Sequence, residues 1–133
     1  MYTFALNRIE EVEGKLKFYK LFVNDNCEFD LFWKQCKADG NLENELLQIQ
    51  SRMQQLADLK TMPNEKHKDI TPKNDSVKEY EIKTKHLRVY MFHDKENGRV
   101  IVSGGKKTTQ SKDITHFRNI KKEYFNQKIN HVK

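Results

Sequence analysis

The sequence has few of the residues that crosslink a chain or restrict its backbone. In 133 residues it contains two cysteines, two prolines and one tryptophan, and hydrophobic residues make up only 36%. Cys27 and Cys36 form no CxxC motif, so we expect reduced, part-buried thiols. No apolar run approaches about eighteen residues and no charged-then-apolar leader is present, so we expect a cytoplasmic protein that neither spans a membrane nor is secreted.

Several familiar catalytic and metal-binding motifs are also missing. Residues 104–108 resemble a phosphate loop, but a Walker motif needs Ser or Thr directly after Gly-Lys and an earlier glycine where this chain has Val100. The five histidines form no HExxH motif or Cys/His cluster, so we predict no metal or other cofactor. No carboxylate pair stands out from the charged background, so the sequence does not support a glycosidase function.

Charge, by contrast, is abundant and unevenly distributed. Residues 77–133 contain fourteen Lys and Arg against six Asp and Glu, whereas residues 1–76 contain eleven against thirteen. The formal net charge of +6 therefore combines a +8 region with a −2 region. This asymmetry predicts a polyanionic partner for the second half of the chain.

Residue patterns in the first half predict a strand hairpin followed by two helices. Alternating and aromatic-rich runs indicate strands near residues 2–6 and 15–23. Apolar spacings of three and four indicate a helix capped by residues 24–26, and a longer one that ends before Pro63. The apolar residues of these helices are Phe29, Phe32, Trp33, Cys36, Leu42, Leu46, Ile49, Met53, Leu56 and Leu59. Residues 62–76 are predicted to be a flexible connecting loop.

The second half predicts three strands and a final helix. The strands are expected at 77–84, 86–93 and 99–105, with Asn97-Gly98 as a hairpin turn. Ser111 is the expected cap of the helix. Its predicted inward face consists of Ile114, Phe117, Ile120, Tyr124 and Phe125. Together these elements predict one α+β domain over residues 1–133 with an antiparallel sheet.

Basic residues of the predicted C-terminal strands and helix form a candidate nucleic-acid surface. Lys83 and Lys85 share one face of a strand, and Arg88 opens the next. Exposed Tyr90, Tyr124 or a histidine would then stack on bases. The candidate RNA-binding residues are Lys106, Lys107, Arg118, Lys121 and Lys122. A single lysine is most simply a solvated surface residue, but the set favours RNA.

The C-terminal half also resembles a known family. Residues 80–92, Y-E-I-K-T-K-H-L-R-V-Y-M-F, resemble the central hairpin of the RelE-like toxins, particularly their HigB and phage-derived branch. Residues 105–110, Ile114 and residues 121–125 are similar to that branch's Lys-Lys-Thr strand end and C-terminal helix. The resemblance covers about residues 77–126, whereas the N-terminal part agrees only in the order of its elements.

The resemblance implies a RelE-like fold and an mRNA endoribonuclease, the toxin of a type II toxin–antitoxin pair. Such toxins often act in the ribosomal A site and are neutralised by a cognate antitoxin, here expected to be a helix-turn-helix protein encoded beside it. Cleavage would need no metal, because the ribose 2′-OH attacks the adjacent phosphorus. The alternatives are a non-catalytic RNA- or protein-binding module on the same fold and, more remotely, a DNA-binding regulator that uses the final helix.

The resemblance also implies roles for individual residues. Arg88 corresponds to the family's phosphate-binding arginine, and the family's lysines before that strand correspond to Lys83 and Lys85. The basic residue at the end of the last strand is Lys106 or Lys107. The acid/base role stays open among His86, His93 and Tyr124. Crowding by neighbouring cations would also let Lys83 or Lys85 act as the base, although a histidine needs less tuning.

Overall fold

The computed structural model describes residues 2–131 as an α+β fold, which confirms the predicted fold class. The elements are β1 (Phe4–Arg8), β2 (Phe18–Val23), α1 (Glu28–Ala38), α2 (Glu43–Ala57), β3 (His67–Asp69), β4 (Glu79–Lys83), β5 (Leu87–Asp94), β6 (Gly98–Lys106) and α3 (Gln110–His131). Short 3₁₀ turns precede α2 and α3. Among the helices that the structure describes, none combines the length and apolar character needed to cross a membrane.

The six strands form one sheet in the order β1-β2-β6-β5-β4-β3. Every described pairing is antiparallel except that between β2 and β6, so the predicted antiparallel sheet is in fact mixed. The parallel pair arises because α1, α2 and three strands separate β2 from β6 along the chain. The N-terminal hairpin pairs as expected. The turn between β5 and β6 comprises residues 95–97 rather than Asn97-Gly98, and Gly98, the first residue of β6, has a φ of 141°.

Helices cover both faces of the sheet. α1 and α2 pack on one face and α3 packs on the other. Side chains alternate along β5, so that Leu87, Val89 and Met91 face α1 and α2. Tyr90 and Phe92 belong to the cluster beneath α3. Because β5 is buried on both faces, its polar residues need partners inside the protein.

The edge strand β3 lies inside the segment predicted to be a loop. It has only three residues, all polar or charged, so no hydrophobic pattern marks it. His67 stacks on Tyr80 of β4 with 5.1 Å between ring centroids, and the Arg99 guanidinium carbon lies 3.8 Å from the same tyrosine ring. These contacts link the edge strand to the centre of the sheet.

The helix ends differ from the sequence predictions in three places. The N-cap of α1 is Cys27, whose sulfur accepts a hydrogen bond from the Asp30 N–H at 3.4 Å, rather than a residue of 24–26. α3 begins at Gln110, so Ser111 lies within the helix and does not cap it. Leu59 lies beyond α2 and is exposed, and its positive φ ends the apolar stripe. Both thiols are free and buried.

Candidate functional site

Most of the predicted site residues meet where β4 ends, β5 begins and β6 ends. Lys83 pairs with Arg88, Arg88 with Gly105, and Leu87 with Lys106. The Lys107 N–H also donates to the His86 carbonyl at 2.8 Å. We call this region the basic end of the sheet; its residues are Lys83, Lys85, His86, Arg88, Lys106 and Lys107. The side chains of Lys85, His86, Lys106 and Lys107 are exposed there.

A buried carboxylate from α2 holds the turn between β4 and β5. Glu45 Oε2 lies 2.7 Å from His86 Nδ1, and Glu45 Oε1 accepts the His86 main-chain N–H at 2.7 Å. The hydroxyl of Thr84 donates to the same oxygen. Burial alone raises the pKa of Glu45, but the hydrogen bonds from Thr84 and His86 outweigh it and lower the pKa below its ordinary value. Glu45 is therefore ionised at neutral pH.

This contact determines the state of the His86 ring. A carboxylate only accepts hydrogen bonds, so Nδ1 carries the proton and Nε2 holds the lone pair when the imidazole is neutral. The His86 side chain is 59% exposed, whereas Glu45 is 10% exposed. The carboxylate thus orients the ring from inside the protein and leaves Nε2 open to solvent.

The sequence prediction included His86 but missed Glu45. The two residues are 41 positions apart and belong to different predicted elements. Glu45 lies three residues after Leu42 and four before Ile49, on the buried stripe of α2. A carboxylate on an apolar stripe is itself a signal of a buried polar contact. Nothing in the sequence identified its partner.

Arg88 lies at the basic end, but it is only 5% exposed. Its Nη1 donates to the carbonyl oxygens of Thr84 at 2.7 Å and Leu87 at 2.8 Å. Within the described part of the chain, its buried Nε has no hydrogen-bond partner. Arg88 therefore lies at the predicted place, but its side chain is buried and its Nη1 is engaged by the main chain, so the phosphate-binding role that the resemblance implies stays a prediction. Arg52 of α2 holds the same turn through the Lys83 carbonyl.

Tyr90 cannot stack on a base, which contradicts the expectation that it is exposed. It is fully buried beneath α3, where its ring stacks on Phe117 with 5.9 Å between centroids. Burial, followed by the nearby carboxylates Glu81 and Asp113, raises the pKa of its hydroxyl. Gln110 at the start of α3 donates to Glu81 at 2.9 Å, so this part of the helix closes over the sheet.

Two cations of α3 predicted to bind RNA form ion pairs within the protein, but only Lys121 is buried, whereas the Arg118 side chain is 40% exposed. The Lys121 ammonium lies 2.7 Å from Glu79 and 2.8 Å from Asp75, and its side chain is only 7% exposed. Arg118 pairs with Glu79 at 2.9 Å and donates to the Ile70 carbonyl. Burial against two carboxylates contradicts a surface role for Lys121, whereas Arg118 remains partly exposed and its contact with RNA stays a prediction. Lys122, the next residue, is exposed.

Tyr124 and His93 lie at the opposite end of β5. The Tyr124 hydroxyl donates to Asp94 at 2.7 Å, and burial followed by this contact raises its pKa. Asp94 lies six residues beyond Arg88, about 20 Å along an extended strand. Burial and then Arg99 lower the pKa of His93. Neither residue therefore reaches the basic end, and His86 is the acid/base candidate that does.

Comparison with known proteins assigns the chain to no family. No family model matches it, and no significant match exists among curated proteins or solved structures. Within residues 2–131 no group of three or more His, Cys, Asp or Glu side chains is arranged to hold a metal ion. The resemblance to RelE-like toxins thus rests on the sequence motifs, and the candidate site rests on its own geometry.

Proposed function

We propose that this chain is an endoribonuclease that cleaves mRNA, the toxin of a type II toxin–antitoxin pair with a RelE-like fold. The observation that carries the proposal is the His86 imidazole, which ionised Glu45 orients through Nδ1 and whose side chain is 59% exposed at the basic end of the sheet. An oriented imidazole suits general acid–base chemistry near neutral pH. The surrounding positive charge favours a phosphate substrate.

The proposed reaction is attack of a ribose 2′-oxygen on its own 3′-phosphate. His86 Nε2 takes the 2′ proton as the new P–O bond forms, and the P–O5′ bond breaks. The products are a 2′,3′-cyclic phosphate and a 5′-hydroxyl, whose oxygen takes a proton from solvent or a neighbouring ammonium group. The imidazolium formed during attack stays beside the Glu45 carboxylate, which stabilises its charge.

The lysines of the basic end supply charge rather than proton transfer in this scheme. The attacked phosphorus gathers negative charge on its oxygens, and preorganised cations stabilise that charge. Lys106 ends β6 and Lys107 follows it beside His86, while Lys83 and Lys85 precede His86 along the chain. An RNA phosphate at Nε2 would therefore lie in a region to which both neighbouring strand ends contribute lysines. The ribosome is proposed as the place where mRNA is presented.

The direct test is RNA cleavage by the purified chain, with and without ribosomes. His86→Ala should lower the cleavage rate by about 10²- to 10⁴-fold, the usual contribution of a general acid–base group. His116→Ala is the matched control, because His116 is also exposed and contacts a glutamate, Glu28 at 2.8 Å, but lies on α3. Cyclic-phosphate ends should appear on the products. Absence of cleavage and of growth arrest with the unaltered chain would refute the proposal.

A non-catalytic RNA-binding module is the second candidate, and one observation favours it. Arg88, the family's phosphate ligand by resemblance, is buried and hydrogen-bonded to backbone carbonyls. A chain that has lost cleavage would still bind RNA through its exposed lysines. Binding that weakens steeply with salt, without cleavage in the presence of ribosomes, would support this candidate.

A further inference from the structure

Three charged side chains hold the short turn that carries Lys85 and His86. Glu45 binds it through Thr84 and through both the main chain and the ring of His86. Arg52 donates to the carbonyl of Lys83, where the turn begins. Arg88 donates to the carbonyls of Thr84 and Leu87, which lie on either side of Lys85 and His86. Such dense side-chain contact with one turn is typical of a preorganised site.

The hydrogen-bond geometry leaves the Arg88 guanidinium poorly placed for a phosphate. Nη1 has two N–H groups, and both are used by backbone carbonyls at 2.7 and 2.8 Å. A phosphate oxygen approaching this nitrogen would face those carbonyl oxygens, and acceptors repel one another. Arg88 is only 5% exposed, and beside it on β6 the Asp113 carboxylate of α3 lies where a Gly105 Cβ would be.

We propose that Arg88 is a positioning residue, which holds the turn and thereby His86 and makes no direct contact with RNA phosphate. The inference rests on the proposed function wherever its test measures cleavage. The resemblance implies a different role for this arginine, direct binding of phosphate. Phosphate contact then falls to the exposed lysines Lys85 and Lys107. A misplacement of about 1 Å in a reacting group lowers rates by about 10²-fold, which is the effect that loss of the clamp should have.

Salt dependence of RNA binding separates the two roles. Binding of a non-cleavable 2′-O-methyl oligonucleotide is measured between about 50 and 200 mM salt, where each phosphate contact to a single strand contributes about 0.7 to the slope of log K against log salt. Lys85→Ala and Lys107→Ala should each reduce the slope by about that amount. Arg88→Gln, which removes the charge and retains an N–H donor, should leave the slope unchanged.

Cleavage kinetics provide the second readout. Arg88→Met should lower kcat by about 10²-fold with KM unchanged, since the turn shifts while the phosphate contacts remain. Arg88→Gln should retain more of kcat than Arg88→Met, because an amide still donates to a turn carbonyl. Urea unfolding of each variant identifies those that fail to fold, and only folded variants enter the comparison.

Failure of the positioning role can be distinguished from failure of the proposed endoribonuclease function. If the unaltered chain does not cleave RNA, the salt slope and amide exchange of the turn still test the role of Arg88. The positioning role predicts faster exchange at the His86 and Leu87 amides in Arg88→Met than in the unaltered chain. A slope reduced by about 0.7 in Arg88→Gln, with unchanged amide exchange and KM raised at constant kcat, would overturn the inference.

Discussion

Replacing Lys121 with methionine tests whether this lysine is part of the protein interior or of an RNA-binding surface. Its ammonium donates to Glu79 at 2.7 Å, Asp75 at 2.8 Å and the Val77 carbonyl at 2.9 Å. Methionine keeps an apolar chain but supplies none of these hydrogen bonds. Glu79, whose side chain is 1% exposed, would then depend on Arg118 for its charge partner.

The expected loss of stability in Lys121→Met follows from the burial of the Lys121–Glu79 ion pair. Removing one partner of a buried ion pair destabilises a protein by about 3–5 kcal/mol, because the remaining charge stays in a poorly solvating interior. The Arg118 contact to Glu79 and the partial exposure of Asp75 reduce this loss. We therefore expect Lys121→Met to lower the free energy of unfolding by about 3 kcal/mol, which corresponds to a fall in Tm of about 10 °C.

Urea unfolding followed by circular dichroism measures this change. Lys122→Met is the matched control, because the adjacent lysine is exposed and its loss should change stability by less than about 0.5 kcal/mol. In the double variant Glu79→Gln with Lys121→Met, the loss should be smaller than the sum of the single losses. A loss below about 1 kcal/mol in Lys121→Met, together with a reduced salt slope for RNA binding, would refute the buried ion pair.

Three further substitutions test other parts of the fold. Burial opposes ionisation of Asp94, but hydrogen bonds to its carboxylate hold its pKa at about 2. Asp94→Asn should therefore lower the free energy of unfolding by about 2 kcal/mol at neutral pH and leave it unchanged below pH of about 2. Urea unfolding across pH measures both values. Burial lowers the pKa of His67 to about 4. The unfolded chain then binds the extra proton first, so stability should fall as pH drops from about 6.5 to about 4. Thermal melts of His67→Gln should not show this pH dependence. A Cβ in Gly105→Ala would overlap the Asp113 carboxylate, so Tm should fall, whereas Gly40→Ala, with open space around its Cβ, should not lower it.

Much of the fold follows from patterns that are local in the sequence. A hairpin between β5 and β6 and the inward face of α3 needed only neighbouring residues, and the structure confirms both, although the turn comprises residues 95–97 rather than Asn97-Gly98. β3 carries no apolar alternation, so it became visible only as the edge partner of β4. The parallel pairing of β2 with β6 joins segments about 80 residues apart, which no local pattern specifies.

The candidate site was predictable in position but not in composition. The run from Lys83 to Arg88 and the Lys106-Lys107 pair were found as basic residues near strand ends, and the sheet register brings them together. Glu45 was not found, since its role depends on a contact with a turn 41 residues away. Tyr124 was misplaced because helix periodicity gives its face but not which end of the sheet that face covers.

By itself the sequence determined the α+β pattern and the basic character of the second half, because these depend on neighbouring residues and on composition. Only the tertiary structure decided which charged side chains remain exposed and able to contact a partner. Lys121 and Lys122 are adjacent and identical in type, yet one is buried against Glu79 and the other is exposed. Ion pairing depends on distances between residues remote in sequence and on their removal from water, and folding alone sets both.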